Sequence, residues 1–209
     1  MNNKKEICRV ILYLLLFAFF STVIISAVIT EVMVNKNVDE GCLTEKIQVL
    51  LVAGCFILYA IHAIRNTKYR LSNSLVAILF LLFFVRELDA FFDDVFFHGA
   101  WFYIVLIILI FSFLYYYKRI HLVLNDFLDF TKTPKFLLLV WGLISLLLLS
   151  RLLGYKEIWK TLFLAMPIEN ITDFEVLYRP FKNIVEESVE IISYLALFLS
   201  ALDPFSVKE

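Results

Sequence analysis

The chain has 209 residues, of which 62% are hydrophobic and 19% charged, with a formal net charge of −1 and a mean hydropathy of +0.85. That apolar share exceeds the range of soluble domains and argues against one. The balanced charge excludes the broad basic field on which nucleic-acid binding depends. The expectation is an all-α, polytopic helix bundle partnered by the lipid bilayer, forming a single integral-membrane domain over residues 1–209. Five Gly and four Pro leave room for long uninterrupted helices, while 22 Phe and ten Tyr suit lipid contact and interfacial anchoring.

A bilayer core takes roughly 20 apolar residues per helix. Six stretches meet that length, at about 10–33, 46–64, 74–92, 100–118, 134–153 and 183–202. The first follows a basic start (Lys4, Lys5, Arg9) and exceeds the roughly 7–15 residues of a signal-peptide core, so it reads as a retained anchor. Within it Thr22, Ser26 and Thr30 recur at every fourth position, a small-hydroxyl stripe that predicts close helix–helix approach. In the second stretch Ala53-Gly54-Cys55 predicts the same, and His62 is placed to snorkel to the interface.

The third stretch runs into Arg86–Trp101, RELDAFFDDVFFHGAW, with one basic residue, four carboxylates and a histidine between two apolar runs. After the fourth, residues His121 to Lys135 predict a short interfacial helix with a solvated charged face, and Thr133-Pro134 opens the fifth. Beyond that, Ile158, Trp159, Leu162, Phe163 and Met166 share one helical face. Tyr155–Met166 is therefore expected to be an amphipathic helix on the outer membrane surface. Asn170-Ile171-Thr172 matches a glycosylation acceptor but carries little weight. The last stretch opens with Val185-Glu186-Glu187-Ser188-Val189-Glu190 and ends at Asp203-Pro204.

Lysine and arginine gather at the N-terminus, in the second loop (Arg65, Lys68, Arg70) and in the fourth (Lys118, Arg119, Lys132, Lys135). The positive-inside rule then predicts a multi-pass protein with both termini cytoplasmic and Arg86–Trp101 on the outer side. Cys8, Cys42 and Cys55 lack metal-like spacing. Cys8 and Cys55 read as packing residues. Cys42 reads as a free thiol able to cross-link a homo-oligomer.

On a continuous third helix, Glu87, Asp94 and His98 would share one stripe, and Arg86, Asp89 and Asp93 another. The last helix adds Glu186, Glu187 and Glu190, and Arg151 arrives from the fifth. The candidate site is thus Arg86, Glu87, Asp89, Asp93, Asp94, His98, Arg151, Glu186, Glu187 and Glu190 near the outer face. Ionisable groups at that depth are functional candidates, with an ion network that fixes helix packing as the alternative. A set of Glu87, Asp94 and His98 with Glu187 or Glu190 would suit a hard cation or a carboxylate-rich transition-metal site, but no motif assigns a metal or cofactor. The first functional reading is a binding or sensing site for a cation or lipid headgroup. A membrane hydrolase using carboxylate chemistry is the second. An ion- or proton-coupled transporter comes third, since obvious helix breaks and repeats are lacking.

Overall fold

A computed structural model describes residues 3–35, 43–65, 68–164 and 174–202, with side chains over 11–31, 43–65, 68–164 and 179–202. The side chains of Lys4, Lys5, Cys8, Arg9, Cys42, Met166, the Asn170-Ile171-Thr172 triplet and Asp203-Pro204 lie outside these described residues. Helices α1 (Asn3–Asn35), α2 (Leu43–Arg65), α3 (Arg70–Glu87), α4 (Asp89–Val95) and α5 (Ala100–Tyr117) are followed by α6 (Ile120–Phe130) and α7 (Pro134–Ile144). A π-helical turn (Ser145–Leu149) then leads into α8 (Ser150–Leu153), α9 (Lys156–Leu164) and α10 (Phe174–Leu202). No strand occurs among the described residues.

Among the described residues four helical stretches are long and apolar enough to cross a membrane: Ile11–Glu31, Leu43–Arg65, Ala100–Tyr117 and Pro134–Leu153. They correspond to the first, second, fourth and fifth predicted spans. The third and sixth are helical too, but each carries several ionisable residues. Helix α3 includes Arg70, Arg86 and Glu87, and α10 includes Glu186, Glu187 and Glu190. Helix α6 forms where a short interfacial helix was expected, and α9 where an amphipathic one was.

The chain divides into two compact units. One comprises Met1–Ile47 with Val140–Ala196, the other Gln48–Leu139 with Leu197–Glu209. In the first, Ile24 and Val28 of α1 form a buried cluster with Ile191 of α10, flanked by Ile47 and Leu195. Glu31, about one turn before the end of α1, caps the start of α2: its carboxylate accepts from Leu43 N–H (2.9 Å), Thr44 N–H (3.4 Å) and Thr44 Oγ1 (2.7 Å). The first N–H groups of a helix lack intrahelical partners, and a carboxylate there also answers the positive end of the helix dipole. The hydroxyl stripe does something other than bridge helices. Thr22, Ser26 and Thr30 each donate to the carbonyl four residues back, at 2.8–2.9 Å, and remain exposed. A short hydroxyl can satisfy itself this way inside its own helix.

In the second unit α3 packs against α5 and α6. Tyr59 of α2 stacks on Phe80 of α3 at 5.5 Å between centroids, and both rings are fully buried. Ser74 and Tyr116 share a 2.7 Å hydroxyl hydrogen bond between α3 and α5. In the fourth loop Asn125 and Asp129 are exposed as expected, while Asp126 and Lys135 depart from the solvated face. Asp126 turns inward and caps α3, accepting from Ser72 N–H and Ser72 Oγ, both at 2.6 Å. Lys135 is buried, donating to Asn73 Oδ1 (3.3 Å) with its ammonium 4.4 Å from the Tyr59 ring centre. His62 likewise does not snorkel; its Nε2 meets the Ala201 carbonyl at 2.9 Å, beside a 2.9 Å Tyr59–Ser200 hydroxyl contact. Cys55 is buried as a packing residue.

Lipid tails are as apolar as leucine, so close packing rather than exclusion of water holds such helices together. Gly54 carries that contact in α2. A Cβ there would lie 2.6 Å from Cε2 of Phe198 on α10. Gly54→Ala should therefore lower the detergent-solubilised protein's stability by about 1–3 kcal/mol. Adding Phe198→Leu should recover part of that loss in thermal unfolding, whereas no recovery would place the strain elsewhere.

Candidate functional site

The charged stretch after α3 folds as two short pieces rather than one stripe. Helix α3 ends at Glu87, Leu88 caps it, and α4 ends at Val95. Gly99 then adopts φ 84°, a left-handed conformation that favours glycine, and starts α5. Asp93 organises this turn. Its Oδ1 accepts from Gly99 N–H (2.8 Å), and its Oδ2 pairs with His98 Nδ1 (2.7 Å). The stripe that would have joined Glu87, Asp94 and His98 is broken by the turn, so His98 meets Asp93 instead and is fully exposed. Arg86 lies 3.8 Å from Glu87, not against Asp89 or Asp93 as a continuous helix predicted. Asp89 accepts from the N–H of Ala90 (2.7 Å), and Asp94 is exposed.

The other candidates lie in the first unit, where α8 meets α10. Glu186 and Glu190 stand one turn apart on α10, with side chains 17% and 15% exposed. Arg151 NH1 lies 3.8 Å from Glu186, and its NH2 the same distance from Glu190. Lys182, four residues before Glu186, donates to its Oε2 at 2.9 Å. Ser150, fully buried, divides its hydroxyl hydrogen between Leu146 O (2.7 Å) and Glu190 Oε1 (3.2 Å). A Cβ on Gly154 would meet the Glu186 carboxylate, so a larger residue there would push that side chain aside from its present position. Glu187 is half-buried on the same helix.

The π turn explains why Ser150 and Arg151 reach α10 together. One extra residue in a helical turn rotates everything after it by about 100° relative to a regular helix. Such turns cluster at functional sites. Lys182 was legible in the sequence, because lysine and glutamate at i and i+4 face one another on a helix. Ser150 and Gly154 were not, since their roles depend on the π turn and on a second helix.

The candidate residues therefore gather as two sets within separate compact units. Arg86, Glu87, Asp93 and His98 belong to one; Arg151, Glu186 and Glu190, joined by Lys182 and Ser150, belong to the other. Among the described residues no three His, Cys, Asp or Glu side chains converge as metal ligands, the Glu87, Asp94 and His98 set included. Chemically, the second set offers two carboxylates on a shared guanidinium whose contacts exceed hydrogen-bond length. No protein-family model matches the chain, and no curated protein or solved structure matches it either.

The Asp93 turn behaves as a helix connection with an exposed histidine. Asp93→Ala removes the acceptor of Gly99 N–H and should cost about 1–2 kcal/mol. His98→Ala removes only an exposed ion pair and should stay within about 0.5 kcal/mol. Chemical denaturation of the two variants checks the contrast.

Proposed function

We propose that this chain is a polytopic membrane protein of about six spans with both termini cytoplasmic. In this reading Arg151, Lys182, Glu186 and Glu190 form a binding or sensing site for a cation or lipid headgroup near the outer face. The observation that carries it is the loose grip of Arg151. Its side chain stays 54% exposed and lies 3.8 Å from each of two carboxylates that are themselves largely covered. A closed structural ion pair would be shorter and bidentate. A longer approach leaves the guanidinium and both acids able to exchange part of their pairing for a ligand's phosphate or cation.

Several features support the membrane reading. The 18-residue α5 is about 27 Å long, matching a hydrocarbon core of roughly 30 Å. Trp101, Phe102 and Tyr103 mark its start, and Tyr115, Tyr116 and Tyr117 its end before Lys118 and Arg119, as aromatic belts and cytoplasmic basic residues do. The two less apolar helices fit as spans because protein groups answer their polar residues. Asn73 and Ser72 of α3 meet Lys135 and Asp126, and much of α10 after Glu190 is buried.

A second reading, a membrane hydrolase, draws on the contact between Ser150 and Glu190, a hydroxyl beside a carboxylate that could take its proton. Full burial of Ser150 places this reading behind the first.

Two measurements test the proposal. In a background with Cys8, Cys42 and Cys55 replaced by Ser, cysteines at His98 and Glu157 should react with an impermeant thiol reagent from outside. Cysteines at Lys68 and Lys132 should not, and the reverse pattern would reject the topology. With the chain in nanodiscs, calcium and short-chain phosphatidylethanolamine serve as the cation and headgroup probes. Glu190→Gln or Arg151→Met should weaken binding of the recognised probe about tenfold or more with folding retained. Equal binding by both variants would refute the site.

A further inference from the structure

The face of α6 that turns away from α3 is largely exposed, with Phe127 packed at one edge against the Phe136 ring at 5.7 Å, and its composition identifies what covers the rest. At about 100° per residue the helix divides into three sectors. Val123, Asp126 and Phe130 form the first and face α3. Val123 and Phe130 are buried, Phe130 meets the Tyr69 ring at 6.0 Å, and Asp126 holds Ser72. Ile120, Leu124, Phe127 and Leu128 form the second. All four are exposed, by 55%, 54%, 38% and 59%. His121, Asn125 and Asp129 form the third, also exposed, with exposed Leu122 at its far edge.

An exposed apolar sector beside an exposed polar one is the pattern of a helix lying in a membrane interface. The connections allow little else. Two residues separate α6 from α5 and three separate it from α7, and both neighbours begin or form stretches able to cross a membrane. The charges around it are mainly basic. Lys132 is matched by Asp129 through a 2.7 Å hydrogen bond, which lowers the Asp129 pKa and raises that of Lys132, so the pair stays ionised around neutral pH. Lys118 and Arg119, both exposed, then carry the unmatched charge at the start of the helix. The Arg119 guanidinium sits over the Tyr115 ring at 5.3 Å, at the level of that aromatic belt.

We propose that α6 is a membrane-surface docking helix for anionic phospholipid, seated with Ile120, Leu124 and Leu128 in the acyl boundary and with Lys118 and Arg119 on acidic headgroups. The proposal rests on the reading that α5 and α7 begin membrane crossings. It places a lipid-charge-sensitive contact on the predicted cytoplasmic face, remote in sequence from the Arg151 group. Because Asp126 on the opposite side of α6 caps α3, the docked helix also holds the cap of α3 in place.

The test uses the full chain, with its three cysteines replaced by Ser, in vesicles of phosphatidylcholine alone or with phosphatidylglycerol. A fluorophore is placed singly at Leu124, at His121, or at Leu109 in the middle of α5. Brominated phosphatidylglycerol or brominated phosphatidylcholine at equal fractions serves as quencher. The fluorophore at Leu124 should be quenched by brominated lipid and shielded from aqueous iodide, while that at His121 remains open to iodide. Brominated phosphatidylglycerol should be enriched about fivefold at Leu124, the scale expected for one basic residue at an anionic surface. Lys118→Gln with Arg119→Gln should bring the two lipids to parity. Quenching at Leu109 without quenching at Leu124 would overturn the docking of α6. Equal quenching by both lipids in the unsubstituted chain would overturn its anionic preference. Absence of lipid quenching at Leu109 would instead overturn the spanning of α5 on which the proposal rests.

Discussion

A polar group in an apolar helix bundle has little water to turn to, so another part of the chain must answer it. That constraint recurs through this structure. Glu31 in the C-terminal part of α1 satisfies the opening N–H groups of α2, and Asp126 of α6 does the same for α3. The Lys135 ammonium finds the carbonyl oxygen of Asn73 and the face of Tyr59. Where α8 meets α10, Glu186 and Glu190 find Arg151, Lys182 and Ser150. In the proposed membrane setting each removed partner would strand a polar group, so these contacts matter more than their number suggests.

The apolar runs were the legible part of the sequence. Length and hydropathy located α1, α2, α5 and the α7–α8 stretch well, because those properties are local. The partners of polar residues were not legible in the same way. Nothing in the periodicity of His121 to Lys135 distinguishes inward Asp126 from exposed Asp129, because that depends on where Ser72 lies. Lys135 and His62 were misread for the same reason: each is an isolated polar residue whose partner is distant in sequence. The stripe through Glu87, Asp94 and His98 failed differently. It needs one helix from Glu87 to His98, whereas α3 ends at Glu87 and α4 at Val95, and Gly99 was a visible signal for the left-handed turn that follows.

The two charged sets differ in their physical setting. Around Asp93 the partners are a backbone N–H and an exposed imidazole, the marks of a turn that connects two helices. Around Arg151 two covered carboxylates share one half-exposed guanidinium, next to a π turn and a glycine against which the Glu186 carboxylate packs. A binding site needs groups that are positioned yet able to change partners, and only the second set has that character. This contrast is why the proposed function rests on Arg151, Glu186 and Glu190 and leaves Asp93 and His98 a structural part.

The proposed site requires the Arg151 group to lie in membrane surroundings, and the strength of its ion pairing reports that directly. Exposed ion pairs in water couple by about 0–1 kcal/mol, whereas pairs shielded from water couple by more, because either partner alone is left stranded. A double-mutant cycle on the chain reconstituted in bilayers, with Arg151→Met, Glu190→Gln and their combination, measures the coupling by reversible unfolding. The account predicts about 1.5 kcal/mol or more. A coupling within about 0.3 kcal/mol of zero would contradict it and place Arg151 and Glu190 in water.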